Sequence, residues 1–250
     1  MSGITVVAIL TIVVTAILCV AALNHLTQSN RRYYWLILIG FPLSLIVNQF
    51  IKTPVITALA TWTDIPLKIG LEAPLWFIIA VGLNAPIFEE TIKVLPMILP
   101  TPRKFLRDAS QALWAGLALG MGFGLGEAAY LAYGIAQSPA YSQLPWHMFT
   151  GFASERLIVT FAHGLMTSIA VAGFHYGGRK ALFGYLTAVG LHALINLGPI
   201  LLALELIPAT VASLGSYIAI LAAFVIFQKE ERTAKKMSGI TPREVIYFER

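Results

Sequence analysis

The sequence predicts an all-α polytopic membrane protein of about seven transmembrane helices, with the N-terminus outside and the C-terminus cytoplasmic. Three observations predict it. The chain of 250 residues is 58% hydrophobic and 12% charged, with a mean hydropathy of +0.78, far from the balance of a soluble domain. Its apolar residues gather in runs of about 20, the helical length that crosses a hydrocarbon core of about 30 Å. Those runs are apolar on every face, unlike the alternating segments of a membrane β-barrel.

The first run, residues 3–24, has no basic segment before it and strong positive charge after it, so it reads as a retained span and not a signal peptide. Cys19 within it is the only cysteine, which leaves no intramolecular disulfide framework and no thiolate zinc cluster. Residues 33–51 form the second run. The third, 73–99, holds Pro86 and Pro96 around Glu89 and Glu90, where lost backbone hydrogen bonds predict a kink or break. The fourth, 109–136, carries Gly116, Gly120 and Gly124 at a spacing of four, with Gly122 and Gly126, a pattern that lets helix backbones approach closely.

A long outer connection is expected from Gln137 to Glu155, with Tyr141 and Trp146 as interfacial anchors. Runs at 157–177, 181–204 and 210–228 complete the set. No linker divides residues 1–228, which read as one transmembrane domain with its chemistry at 73–204. Residues 229–250 form a charged cytoplasmic tail, in which Thr241, Pro242 and Glu244 have the capping pattern of a short helix.

Orientation follows from the basic residues, because Lys and Arg beside spans are retained on the cytoplasmic side. With the N-terminus outside, 13 of the 17 basic residues lie inside, while Lys52, Lys68 and Arg156 fall in outer loops and Lys93 within a span. The net charge of +5 is therefore mostly topogenic, with some attraction to anionic headgroups of the bilayer. No basic patch with interleaved aromatics points to nucleic acid.

Four spans carry groups that lipid rejects: Glu89, Glu90 and Lys93 on the third, Glu127 on the fourth, His163 on the fifth, and His192 with Asn196 on the sixth. At roughly 2.5–3.5 kcal/mol for each charge at a helix centre, such groups must meet one another inside the bundle. Glu89 and Lys93, four apart, are expected to pair, leaving the other carboxylate free and a surplus of negative charge that needs a proton, a metal or a histidinium. His192 and Asn196, also four apart, share a helix face. Rise along the helices puts Glu89 and His192 near mid-membrane and Glu127 and His163 in the outer half, around a cavity open to the outside. Carboxylate and imidazole groups in a wet intramembrane pocket suit hydrolysis, by water activation alone or through zinc, with Glu127, His163 and His192 as candidate ligands. Spacing is compatible with either. Neither H-E-x-x-H nor G-x-S-x-G occurs.

F-E-E-T-I-K at 88–93, G-M-G-F-G-L-G-E at 120–127, H-G-L-M-T-S at 163–168 and H-A-L-I-N at 192–196 resemble, in order, the four motifs of the PrsW family of intramembrane proteases, relatives of the type II CAAX prenyl endopeptidases. The resemblance implies Glu89 and Glu90 as the catalytic acidic pair, completed by His163 and His192, with Asn196 as oxyanion donor. Glu127 stands where the CAAX branch has a histidine, and Lys93 departs from that branch's E-E-x-x-x-R, so both favour the PrsW branch. The implied substrates are membrane-anchored proteins such as anti-sigma factors, cut near the outer face of a bacterial or archaeal cell membrane to start a signalling cascade. Two other functions would use the same polar groups: a proton- or cation-coupled transporter, and a non-catalytic membrane scaffold of the same superfamily.

Overall fold

The computed structural model describes residues 1–67, 70 and 72–237. Lys68 and the helix expected around Thr241 lie outside the described residues. All regular elements among the described residues are helical: α1 (Gly3–Thr27), α2 (Tyr34–Val47), α3 (Thr53–Thr63), α4 (Leu75–Val94), the single turn α5 (Pro100–Arg103), α6 (Ala109–Gln137), α7 (Thr150–Tyr176), α8 (Gly178–Ala203) and α9 (Ala209–Met237). Seven stretches are long and apolar enough to span a bilayer, matching the seven runs.

The core is built around α6, which Asp108 starts by accepting the Gln111 backbone N–H at 2.9 Å. Nearly every residue of α6 from Ala109 to Gly126 is buried. Its glycines work as two separate seams. A Cβ on Gly116 would lie 2.7 Å from the Ser168 Cα, and one on Gly124 2.6 Å from the Thr160 Cα, so this seam faces α7. A Cβ on Gly122 or Gly126 would instead strike the carbonyl oxygens of Ile37 or Phe41 on α2. Because the obstacles are backbone atoms, neither seam tolerates a side chain.

The outer helices complete the bundle. The buried face of α1 is a stripe including Thr11, Thr15, Cys19 and Leu23, while Leu10, Val13 and Ile17 face outward. Outward apolar residues also line α9, at Leu214, Ile218, Leu221 and Val225, the surface expected of a helix against lipid. Helix α4 packs on α8, α2 and α7, and α8 is held between α7 and α9.

Four expectations are corrected. The second span does not stop at Ile51: a π-helical turn, Asn48–Lys52, joins α2 to α3, and helix continues to Thr63. The turn accommodates Pro54, which has no N–H for the carbonyl four residues back; just before it the Thr53 N–H bonds the Asn48 carbonyl five residues back. Lys52 is therefore in a helix and not in a loop. The α6–α7 connection is shorter than expected, because a 3₁₀ turn at Trp146–Phe149 leads directly into α7, which contains Glu155 and Arg156. Helix α4 runs unbroken through Pro86 and the acidic pair, and the break comes only at the 3₁₀ turn Leu95–Ile98, which holds Pro96. Helix α9 does not end at Gln228 but continues to Met237.

Candidate active site

Adjacent residues on a helix point about 100° apart, so Glu89 and Glu90 leave α4 in different directions. Glu89 reaches the π turn, where Lys52 binds its Oε1; Lys52 also donates to Asn48 Oδ1 at 2.8 Å, and Asn48 is held to Ser44 on the preceding turn. Glu90 reaches the other way. Its Oε1 accepts from the Lys93 Nζ and from His192 Nδ1, both at 2.7 Å. The expected Glu89–Lys93 pair is thus replaced by Glu90–Lys93 at a spacing of three, with Lys52 serving Glu89.

Lys93 is fully buried, and its ammonium sits 4.4 Å from the centre of the Phe123 ring and 2.7 Å from His163 Nδ1. An ammonium only donates, so His163 Nδ1 accepts and Nε2 carries the proton. That Nε2–H donates to Glu127 Oε2 at 3.1 Å. The same Glu127 oxygen accepts from Arg156 Nη1 at 2.8 Å, and Arg156 Nη2 reaches Glu155 at 2.7 Å. A continuous polar chain therefore links Lys52, Glu89, His192, Glu90, Lys93, His163, Glu127, Arg156 and Glu155 across five spans.

The surplus negative charge expected from the sequence is not present at this site. Glu89, Glu90 and Glu127 are matched by Lys52, Lys93 and Arg156. Lys52 and Arg156, two of the three cations assigned to outer loops, are the ones that complete the match. A signal for Arg156 was available, since it stands seven residues, two helical turns, before His163 and so shares its face.

The donor set also fits a metal ion. His192 gives its Nδ1 proton to Glu90, which leaves the Nε2 lone pair facing Glu89 Oε2 at 3.8 Å. Glu89 Oε2 is buried and has no hydrogen-bond partner, as is Glu90 Oε2. Two electron-rich atoms facing each other this closely suit a cation between them, because tetrahedral zinc ligands with bonds of about 2.0–2.1 Å stand about 3.3 Å apart. Ligand atoms of Glu89, His163 and His192 all lie within 4.8 Å of one another. Glu89 therefore takes the place the sequence gave to Glu127 among the candidate ligands. His163 can join such a set through Nε2 only by giving up its proton and its bond to Glu127.

A cavity of about 220 Å³ adjoins this network between α7, α8 and α9. Glu127, His163, His192 and Asn196 line it, whereas Glu89 and Glu90 lie behind the histidines, outside its wall. Asn196 is half-buried on the His192 face of α8, as the spacing of four predicts. Thus all six predicted site residues fall in one region, where they contact one another directly or share the cavity wall.

A family model described as "PrsW family intramembrane metalloprotease" matches residues 32–228 of the chain. No curated protein and no solved structure matches it.

Proposed function

The chain belongs to the PrsW family of intramembrane metalloproteases, and on that premise we propose that it hydrolyses a peptide bond of a membrane-anchored protein, for example an anti-sigma-factor-like regulator. The observation that carries this reading is the meeting of Glu127, His163, His192 and Asn196 on one cavity wall inside a helical bundle, backed by Glu89 and Glu90.

Glu89, His163 and His192 would hold the metal, zinc by its preference for nitrogen and oxygen donors. Zinc in such a set supplies Lewis acidity, polarising a carbonyl and making water acidic enough to react near neutral pH. The chain's own residues do the rest. Glu90 fixes the tautomer and orientation of His192, the outer-shell role that carboxylates play behind metal-binding imidazoles. Lys93 orients His163 in the opposite tautomer: it donates to Nδ1 and leaves the proton on Nε2, so His163 would join the metal only once that proton is lost. Glu127 is the site carboxylate in the cavity wall, and it accepts the proton of the attacking water and passes it to the departing amine. The Asn196 side-chain amide donates to the carbonyl oxygen as that atom gains charge.

The test compares membrane proteomes of cells producing the wild type, Glu89→Ala or His192→Ala, with equal protein levels verified. Truncated single-span proteins should accumulate with the wild type and be absent with both variants. The same fragments in all three would overturn the assignment.

A further inference from the structure

The cavity beside the polar network has a second half that the chemistry does not use. Away from His163, His192 and Asn196 its walls are Ile158, Val159, Ala162 and Met166 of α7, Ile195 of α8 and Ile220 of α9. At about 220 Å³ it is smaller than the roughly 300–1,000 Å³ of pockets that enclose a whole small-molecule ligand. It is larger than the roughly 150 Å³ apolar cavity that accepts a benzene ring. Shared between the polar wall and this apolar half, the cavity's space admits a single side chain beside the reacting groups, and the walls match an apolar one. A charged side chain placed among Met166, Ile195 and Ile220 would lose its water, while the charged groups of the lining, Glu127, Glu155 and Arg156, are already paired with one another.

The position of the pocket matters as much as its size. Its wall is continuous with His163, His192 and Asn196, so a side chain seated in it holds its own peptide group next to those residues. Ser216, also in the lining, is already committed: its hydroxyl donates to the Ile195 carbonyl at 2.7 Å, which ties α9 to α8 at this level.

We propose that this cavity is the specificity pocket of the protease and receives a large apolar side chain, Leu, Met or Phe, of the residue flanking the scissile bond. This rests on the protease function proposed above. Substrates are thereby restricted to membrane-anchored proteins that present such a residue, with charged residues rejected there.

The experiment uses the purified full-length chain in lipid nanodiscs with a set of single-span reporter proteins. These carry Ala, Leu, Phe, Asp or Lys, one position at a time, through the membrane segment, and products are mapped by mass spectrometry. Wild type should cut next to Leu and Phe at least about tenfold more efficiently, in kcat/KM, than next to Asp or Lys. Val159→Phe, which fills the pocket, should lower cutting at Leu and Phe by about tenfold relative to Ala. Ile220→Ala, which enlarges it, should raise Phe over Leu. If wild type cuts but both variants keep its preferences to within roughly twofold, the pocket assignment falls and the protease function stands. No product from any reporter would overturn the protease function and the pocket with it. A uniform loss in Val159→Phe leaves the decision to Ile220→Ala, where an unchanged Phe-to-Leu ratio sinks the proposal.

Discussion

Lys52, on the π turn of the second span, and Glu89, on α4, form an ion pair across 37 residues of sequence, with Glu89 buried and the lysine side chain 16% exposed. Removing one partner of such a pair strands the other's charge. Lys52→Met is expected to lower stability by about 3 kcal/mol, the lower end for buried pairs because the lysine keeps some access to solvent. The double variant Lys52→Met/Glu89→Gln should recover about 1–3 kcal/mol of that loss, measured as thermal unfolding in detergent. Additive losses would show that the two residues do not depend on each other.

Glu90 binds both Lys93 and His192 through one oxygen, so its charge sets the orientation of the imidazole. Glu90→Gln keeps the shape and removes the charge. It is expected to weaken zinc binding by about 10–100-fold, read by competition with a chelator of known affinity. Chelator treatment of the wild type should abolish proteolysis, and added zinc should restore it; proteolysis that survives chelation would rule out the metal.

Arg156 holds Glu127 with one nitrogen and Glu155 with another, but the two contacts differ in worth. The Glu155 side chain is 60% exposed, and such surface pairs contribute about 0–1 kcal/mol. Glu155→Gln should therefore leave both stability and cleavage nearly unchanged. Arg156→Gln should lose most cleavage, because Glu127, which holds His163, loses its own anchor, and Arg156→Lys should restore part of it, since an ammonium can still pair with the one carboxylate that matters. Equal effects of Glu155→Gln and Arg156→Gln would contradict this division.

A Cβ on Gly120 would collide with the His163 carbonyl group, whereas one on Gly134, in the same helix, meets nothing within 4 Å. Gly120→Ala should cost about 1–3 kcal/mol and displace His163, with loss of cleavage. Gly134→Ala should stabilise the helix by roughly 0.5–1 kcal/mol and leave cleavage unchanged. Thermal unfolding of the two variants side by side checks both signs.

The charge asymmetry predicts that the α6–α7 connection faces outward and the α7–α8 junction faces the cytoplasm. Cys19 is fully buried, so it serves as a silent background for introduced thiols. Gln143→Cys should react with a membrane-impermeant maleimide in intact cells, and Arg179→Cys only after permeabilisation. The opposite pattern would reverse the orientation.

The spans were legible because an apolar run of about 20 residues has few other stable fates. The site residues were legible because lipid makes every ionisable group in a span conspicuous. Lys52 and Arg156 escaped for the converse reason. Each stands at the edge of an apolar run, where a cation ordinarily marks the membrane surface, and the carboxylates they serve are 37 and 29 residues away. Pro54 conceals the continuation as well, since a proline ordinarily ends or kinks a helix, while the π turn lets this helix pass it. The Glu89–Lys93 pairing failed on a single turn of geometry: Lys93 is drawn to Glu90 because His163 and the Phe123 ring lie on that side of α4.

The matched charges also constrain how the protein is made. Released singly into lipid, α4 and α7 would each carry ionised groups with no partner on a neighbouring helix, and the second span would carry Lys52 alone. The full set of partners exists only in the assembled bundle. Insertion and assembly are therefore coupled, and a chain halted after α4 during biogenesis holds Lys52 and Glu89 together but leaves Glu90 and Lys93 waiting for histidines not yet synthesised. Such an intermediate, with polar groups facing lipid, is the form that a quality-control protease or an insertion chaperone would meet.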